Sequence, residues 1–186
     1  MGSKNKLKRF KENLTFDNVI QPTRDNLVSG TFKLKGKWNK VAFKNDNPIV
    51  LELGCGKGEY TIGLAKKNPK KNFIGIDIKG ARFWKGAKDA KDHGLKNVYF
   101  IRCQIELILE IFQENEISEI WITFPDPQIK SKREKPLNPG LPYHRKQVQA
   151  VEFPWPEVRL QCVVQKGRHR FPVRQSLPLH RYILSS

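Results

Sequence analysis

The stretch IVLELGCGKGEYTIGLAKKN, residues 49–68, decides the fold. It opens with a short apolar run, Ile49 to Cys55, bounded by Pro48 and glycine, the pattern of a parallel strand buried on both faces. Gly54, Gly56 and Gly58 follow at alternate positions, and Tyr60, Ile62, Leu64 and Ala65 then take up helical spacing. A strand that turns through glycine straight into a helix is the first half of a βαβ unit. Working outward, NFIGIDI (72–78) is a second strand and KGARFWKGAKDAKDHG (79–94) a second helix ending near Gly94. NVYFIRC (97–103) and IELILEIFQENE (105–116) repeat the pair, and EIWITF (119–124) is a fourth strand. This alternation predicts an α/β fold: a parallel sheet with helices on both faces. Such sheets bind ligands beyond the carboxyl ends of their strands. Glu52 to Gly58, Asp77, Gln104 and Asp126 all fall at or just past strand ends, on one rim.

Charge sets the class of partner. Among 186 residues, 35 Lys and Arg face 18 Asp and Glu, a net charge of +17, the footprint expected of a nucleic-acid binder, with a solubility feature or attraction to anionic membrane as the plain alternatives. No run of 18 apolar residues exists, so no membrane span is expected. The basic opening MGSKNKLKRF leads into no apolar segment, which argues against a secretory signal. Cys55, Cys103 and Cys162 are odd in number and widely spaced, which argues against a disulfide framework or a zinc site. A reducing, cytoplasmic setting without metal is the expectation.

The glycine loop reads Glu52-x-Gly54-x-Gly56-x-Gly58. Glycine there lets the backbone turn tightly and approach a ligand with no Cβ in the way. A dinucleotide fingerprint would need glycine where Glu59 stands, and a glutamate opening the helix is a poor neighbour for pyrophosphate. Asp77, at the end of the second strand, is placed to accept both ribose hydroxyls of an adenosine-bearing ligand. That placement alone does not separate NAD from S-adenosylmethionine. Taken singly, Asp77 is also a reasonable helix cap.

After the fourth strand comes FPDPQIKSKREK, residues 124–135. Pro125 and Pro127 fix their own φ and bias the residues before them toward extended backbone, so Asp126 is held stiffly. A carboxylate can accept the paired N1–H and amino donors of guanine. The cations that follow, Lys130, Lys132 and Arg133, suit phosphate; the plain alternative is a turn and a solvated basic loop.

Together, ELGCGKGEYTIGLA, FIGIDIKGAR and FPDPQIKSKR resemble the bacterial tRNA (guanine-N7-)-methyltransferases, S-adenosylmethionine-dependent enzymes with a Rossmann-like fold. The resemblance covers roughly residues 48–134. It implies that Glu52, Gly54, Gly56, Asp77, Gln104 and Asp126 border the cofactor and that Asp126 is the active-site carboxylate. It further implies that Lys130, Lys132 and Arg133 meet the substrate, and that tRNA is the partner. The family usually has an acid where this chain has Gln104.

Residues 1–47 read as a basic N-terminal arm partly ordered by docking, and 48–134 as the cofactor-binding core. Residues 135–186 depart from the family pattern: they hold seven of the 12 prolines and nine basic against two acidic residues. We read this tail as frame-shifted or disordered, with the C-terminal strands of the family missing or altered. The fourth strand would then be an exposed edge unless VRLQCVVQ (158–165) covers it. A non-catalytic RNA-binding protein on a truncated methyltransferase fold is the rival reading. Trp84 is expected to pack against the arm and Trp121 to lie in the core. The four histidines show no ligand spacing, and monomer and homodimer stay equally open.

Overall fold

The computed structural model describes residues 3–123 and, of the remainder, the backbone of segments 149–150, 159–166, 169–173 and 183–184. The chain begins with helix α1 (Ser3–Asn13), a two-residue strand β1 (Val19–Ile20) and a short helix α2 (Arg24–Val28). A π-helical turn, Trp38–Phe43, leads into the core strands. These are β2 (Ile49–Leu53), β3 (Asn72–Ile76), β4 (Val98–Ile101) and β5 (Glu119–Thr123). Helices α3 (Glu59–Lys67), α4 (Gly80–Asp92) and α5 (Ile108–Ile111) connect them.

All pairings among the strands up to β5 are parallel, in the order β1-β4-β3-β2-β5. Register is fixed by side-chain alternation, because a one-residue slip would exchange the two faces. Val50, Phe73, Val98 and Phe100 face α3 and α4, where they pack on Ile62, Ala65, Phe83, Ala87 and Ala90. Leu51, Ile74, Ile76, Ile120 and Ile122 face the other way, toward Leu27, Trp38, Phe43, Ile108 and Ile111. The alternating strand–helix rhythm is thus present as read, an α/β fold with helical cover on both faces.

The N-terminal segment contributes more than charge. Trp38 is fully buried, its ring 5.5 Å from that of Phe112 and edge-on to Tyr99 at 6.2 Å, and Leu27 is buried beside it. Burial of a large aromatic ring is worth roughly 2–3 kcal/mol. β1 extends the sheet past β4, and α1 lies along α4 with the Trp84 Nε1–H donating to Glu12 at 2.6 Å. Arg9 sits over the Trp84 ring, 4.8 Å from its centroid, so Trp84 does pack against this segment.

The third helix is shorter than its apolar spacing predicts. Instead of spanning 105–116, it consists of a 3-10 turn at Ile105–Leu107 and α5, and Phe112 is already extended. The Trp38 indole N–H donates to the Ile111 carbonyl at 3.1 Å, the group that residue 115 would engage in a longer helix. Asn115 instead adopts a left-handed φ of 61°, and the Glu116 carboxylate accepts three backbone N–H groups, from Gly36, Trp38 and Gln113.

Beyond β5 the sheet continues. Backbone segment β7 (Arg159–Lys166) lies parallel to β5, and β8 (His169–Val173) antiparallel to β7. A separate two-residue pairing joins β6 (Gln149–Ala150) to β9 (Ile183–Leu184). From Arg159 onward VRLQCVVQ therefore supplies the strand beside β5, and the edge left open in the sequence is paired. Among the described residues, no helix is long and apolar enough to cross a membrane.

Candidate cofactor site at the carboxyl ends of β2 and β3

The turn after β2 is built by three glycines in left-handed conformation: Gly54 at φ 69°, Gly56 at 57° and Gly58 at 75°. Any other residue is strained there. Their surroundings divide them. A Cβ on Gly54 would meet no atom within 4 Å, and one on Gly56 would meet only the Gly54 carbonyl at 4.0 Å. Those two positions line open space. A Cβ on Gly58 would instead lie 2.5 Å from the Phe100 ring. Gly86 of α4 faces it, and a Cβ there would lie 2.8 Å from the Lys57 carbonyl and 3.1 Å from Gly58 Cα. Glycine thus leaves the backbone open to approach at one end of the turn and permits close helix packing at the other.

Asp77 ties this turn to β3. Its Oδ2 accepts the Gly56 N–H at 2.9 Å and its Oδ1 accepts the Lys79 N–H at 2.7 Å. The Cys55 N–H donates to Ile76 O at 2.9 Å, and the Asp77 N–H to Ile101 O at 3.2 Å, so the ends of β2, β3 and β4 are laced together. Each carboxylate oxygen has a second lone pair, so Asp77 retains acceptor capacity with its geometry already fixed. The capping reading of Asp77 holds as well: it orders the backbone on which a ligand would rest.

Glu52 is buried inside β2 and accepts a hydrogen bond from the Thr61 hydroxyl of α3. Thr61 carried no motif signal; its role follows only from the helix turning its first face onto β2. Between the two acids sits Cys55, whose thiol is pushed well above its usual pKa by burial and then by the negative charges of Glu52 and Asp77. It is a neutral packing group, not a nucleophile. Burial likewise raises the Cys103 thiol to about 11.

Gln104 follows β4 on the same rim, and its Oε1 accepts from Arg24 Nη1 at 3.4 Å. The glycine turn, Glu52, Asp77 and Gln104 are therefore gathered at one end of the sheet. β5 runs parallel to β2 with Leu53 opposite Ile122, so its carboxyl end lies on that side too. Asp126, Lys130, Lys132 and Arg133 lie outside the described residues. Trp121 is half-buried, its indole N–H donating to Glu119 at 2.9 Å. His93, exposed, bonds the Asp89 carbonyl at the end of α4.

Residues 46–136 match the family model described as "Putative methyltransferase". The similarity is to bacterial tRNA (guanine-N7-)-methyltransferases. The chain is 73% identical over 135 residues to the tRNA (guanine-N(7)-)-methyltransferase of Christiangramia forsetii, covering 73% of this chain and 60% of that protein. Its counterpart from Bacteroides fragilis is 54% identical over 127 residues, covering 68% of this chain and 50% of the relative. That of Porphyromonas gingivalis is 63% identical over 99 residues, covering 53% and 41%. The chain thus spans between about two fifths and three fifths of the length of these curated relatives.

Proposed function

We propose that this protein transfers the methyl group of S-adenosylmethionine to N7 of a guanine in tRNA. The observation that carries the reading is the glycine turn fastened to Asp77 beside an open space, in a chain similar to tRNA (guanine-N7-)-methyltransferases along its core. The cradle at Gly54 and Gly56 admits backbone contact with the methionine part of the cofactor. Asp77 would take the ribose hydroxyls, and Gln104 the adenine edge. Glu52 would border the methionine end, held by Thr61.

The cofactor supplies a methyl already activated on its sulfonium. Guanine N7 has a free lone pair, so no proton has to leave before attack, and positioning is the enzyme's main task. Orienting two reactants well is worth on the order of 7–11 kcal/mol of barrier. In this reading Asp126, three positions after Thr123, holds and polarises the guanine, with little general-base work to do. Lys130, Lys132 and Arg133 hold phosphates beside it. In A-form RNA, N7 lies on the deep, narrow major-groove edge, so the target base must come from a loop or be splayed out. A tRNA variable-loop guanine meets that requirement, and a cytoplasmic setting follows from the substrate.

The test is methyl transfer from labelled S-adenosylmethionine to unmodified tRNA by the full chain, with the product mapped by reduction and aniline cleavage at 7-methylguanosine. Label at a single guanine of the variable loop supports the proposal. Tight tRNA binding with no transfer would favour the non-catalytic reading instead.

A further inference from the structure

Arg24 belongs to no motif of the sequence, yet it reaches the nucleobase end of the candidate site, where its guanidinium donates to Gln104 Oε1 at 3.4 Å. We propose that Arg24 is a positioning residue that fixes which way the Gln104 carboxamide faces, and so makes this end of the site selective for a 6-aminopurine. The inference rests on the cofactor reading above and deepens it.

A guanidinium has donors and no acceptor. Its partner on Gln104 must therefore be the amide oxygen; turning the amide over would set Nε2–H against N–H. The backbone that carries Arg24 is anchored on both sides. The Arg102 N–H donates to Ile20 O at 2.9 Å, joining β1 to the chain leaving β4. Thr23 caps α2 by accepting the Asn26 N–H at 3.2 Å, and Leu27, three residues after Arg24, is buried in the core. Gln104 is held from its own side by the buried Cys103, whose thiol donates to the Gln104 carbonyl. The two side chains thus meet because β1 and α2 run beside the end of β4.

A carboxamide held this way offers a fixed pattern: Oε1, with a second lone pair, accepts, and Nε2–H donates. Adenine presents the complement on its Watson–Crick edge, the N6 amino group as donor and N1 as acceptor. Hypoxanthine presents the reverse, O6 as acceptor and N1–H as donor. A glutamine free to rotate serves either base, and a carboxylate at this position accepts from either. Selectivity therefore needs both the amide and the cation that orients it. This also gives a physical account of glutamine standing where the family usually has an acid.

The experiment is isothermal titration of the full chain with S-adenosylhomocysteine and with S-inosylhomocysteine, reading the ratio of the two affinities. The unsubstituted protein is expected to favour the adenosyl compound on the order of tenfold, the worth of one or two hydrogen bonds. Arg24→Ala should bring the ratio toward unity with the melting transition kept, and Gln104→Glu should do the same. Arg24→Lys, which still donates to Oε1, should restore most of the preference, an outcome that a merely structural arginine would not produce. A ratio unchanged in both Arg24→Ala and Gln104→Glu overturns the proposal while leaving the cofactor site standing. Failure of the unsubstituted chain to bind either compound overturns the cofactor reading and this inference with it.

Discussion

Asp77 accepts the backbone N–H of Gly56 at 2.9 Å, so the end of one strand holds the glycine turn that ends its neighbour. The proposed ribose acid and the proposed methionine cradle are consequently parts of one piece of structure. A ligand bridging them finds both already set, which lowers the ordering cost of binding.

Replacing Asp77 should therefore hurt twice, by removing a ribose partner and by releasing the turn. Asp77→Ala is expected to weaken S-adenosylhomocysteine binding by about 10–100-fold, the worth of a hydrogen bond to a charged group. Titration calorimetry reads this directly. Affinity within about twofold of the unsubstituted protein would contradict the placement, since even one neutral hydrogen bond is worth about 1 kcal/mol.

The Gly58–Gly86 approach makes a stability prediction. Gly86→Ala forces a Cβ to 2.8 Å from both the Lys57 carbonyl and the Phe100 ring, so it should cost about 1–3 kcal/mol in urea unfolding. Gly63, exposed in α3 with nothing within 4 Å of an added Cβ, is the internal control. Gly63→Ala should stabilise by about 0.5–1 kcal/mol. The opposite sign at two helical glycines isolates packing from propensity.

Glu116 gathers three backbone donors, from Gly36, Trp38 and Gln113. Glu116→Ala leaves them to water or to nothing, and should cost about 1–3 kcal/mol by chemical denaturation. Glu116→Gln, which keeps one accepting oxygen, should fall between. Equal stability of all three proteins would show that solvent replaces the carboxylate fully.

Thiol ionisation gives a pH dependence with a definite sign. Cys55 and Cys103 ionise at higher pH in the folded chain than the ordinary value of 9.0, Cys103 at about 11. Between those values the unfolded chain has lost protons that the native chain still holds. Stability contributed by these groups is thus complete below pH 9 and declines as pH rises toward and past 11. Urea melts at stepped alkaline pH, run in parallel on a Cys103→Ser variant, should show a shallower decline in the variant. In a Cys162→Ser background, native-state labelling by a thiol reagent near pH 8 should be slow and should accelerate on unfolding.

For the substrate step, Asp126→Asn should lower methyl transfer far more than it lowers S-adenosylhomocysteine affinity, because the proposed contact is with guanine. tRNA affinity should fall by about tenfold or more between about 50 and 200 mM salt if several lysines and arginines contact phosphate. Filter binding across a salt series measures this; a flat response would remove the electrostatic component of the reading.

Much of this was legible because local signals agreed. Ile49–Cys55, the three glycines and Asp77 each carry information in consecutive residues, and all meet on one rim as their spacing implied. What was hidden depended on distant pairings. The indole of Trp38 takes the carbonyl that would have prolonged α5, across 73 positions of chain. Thr61 and Arg24 make their contacts only because α3 turns onto Glu52 and β1 runs beside β4. No window of periodicity contains such contacts. The pairing of β7 with β5 was similarly underdetermined: its apolar pattern suits a strand and says nothing of its neighbour.

Trp38 has a practical consequence for anyone trimming the chain. A cut at Pro48 would keep every recognisable cofactor motif and still strip much of the cover from one face of the sheet, leaving α5 alone over the isoleucines of β3 and β5 that pack with Leu27, Trp38 and Phe43. The smallest autonomously folding fragment must therefore start well before the first motif that identifies it.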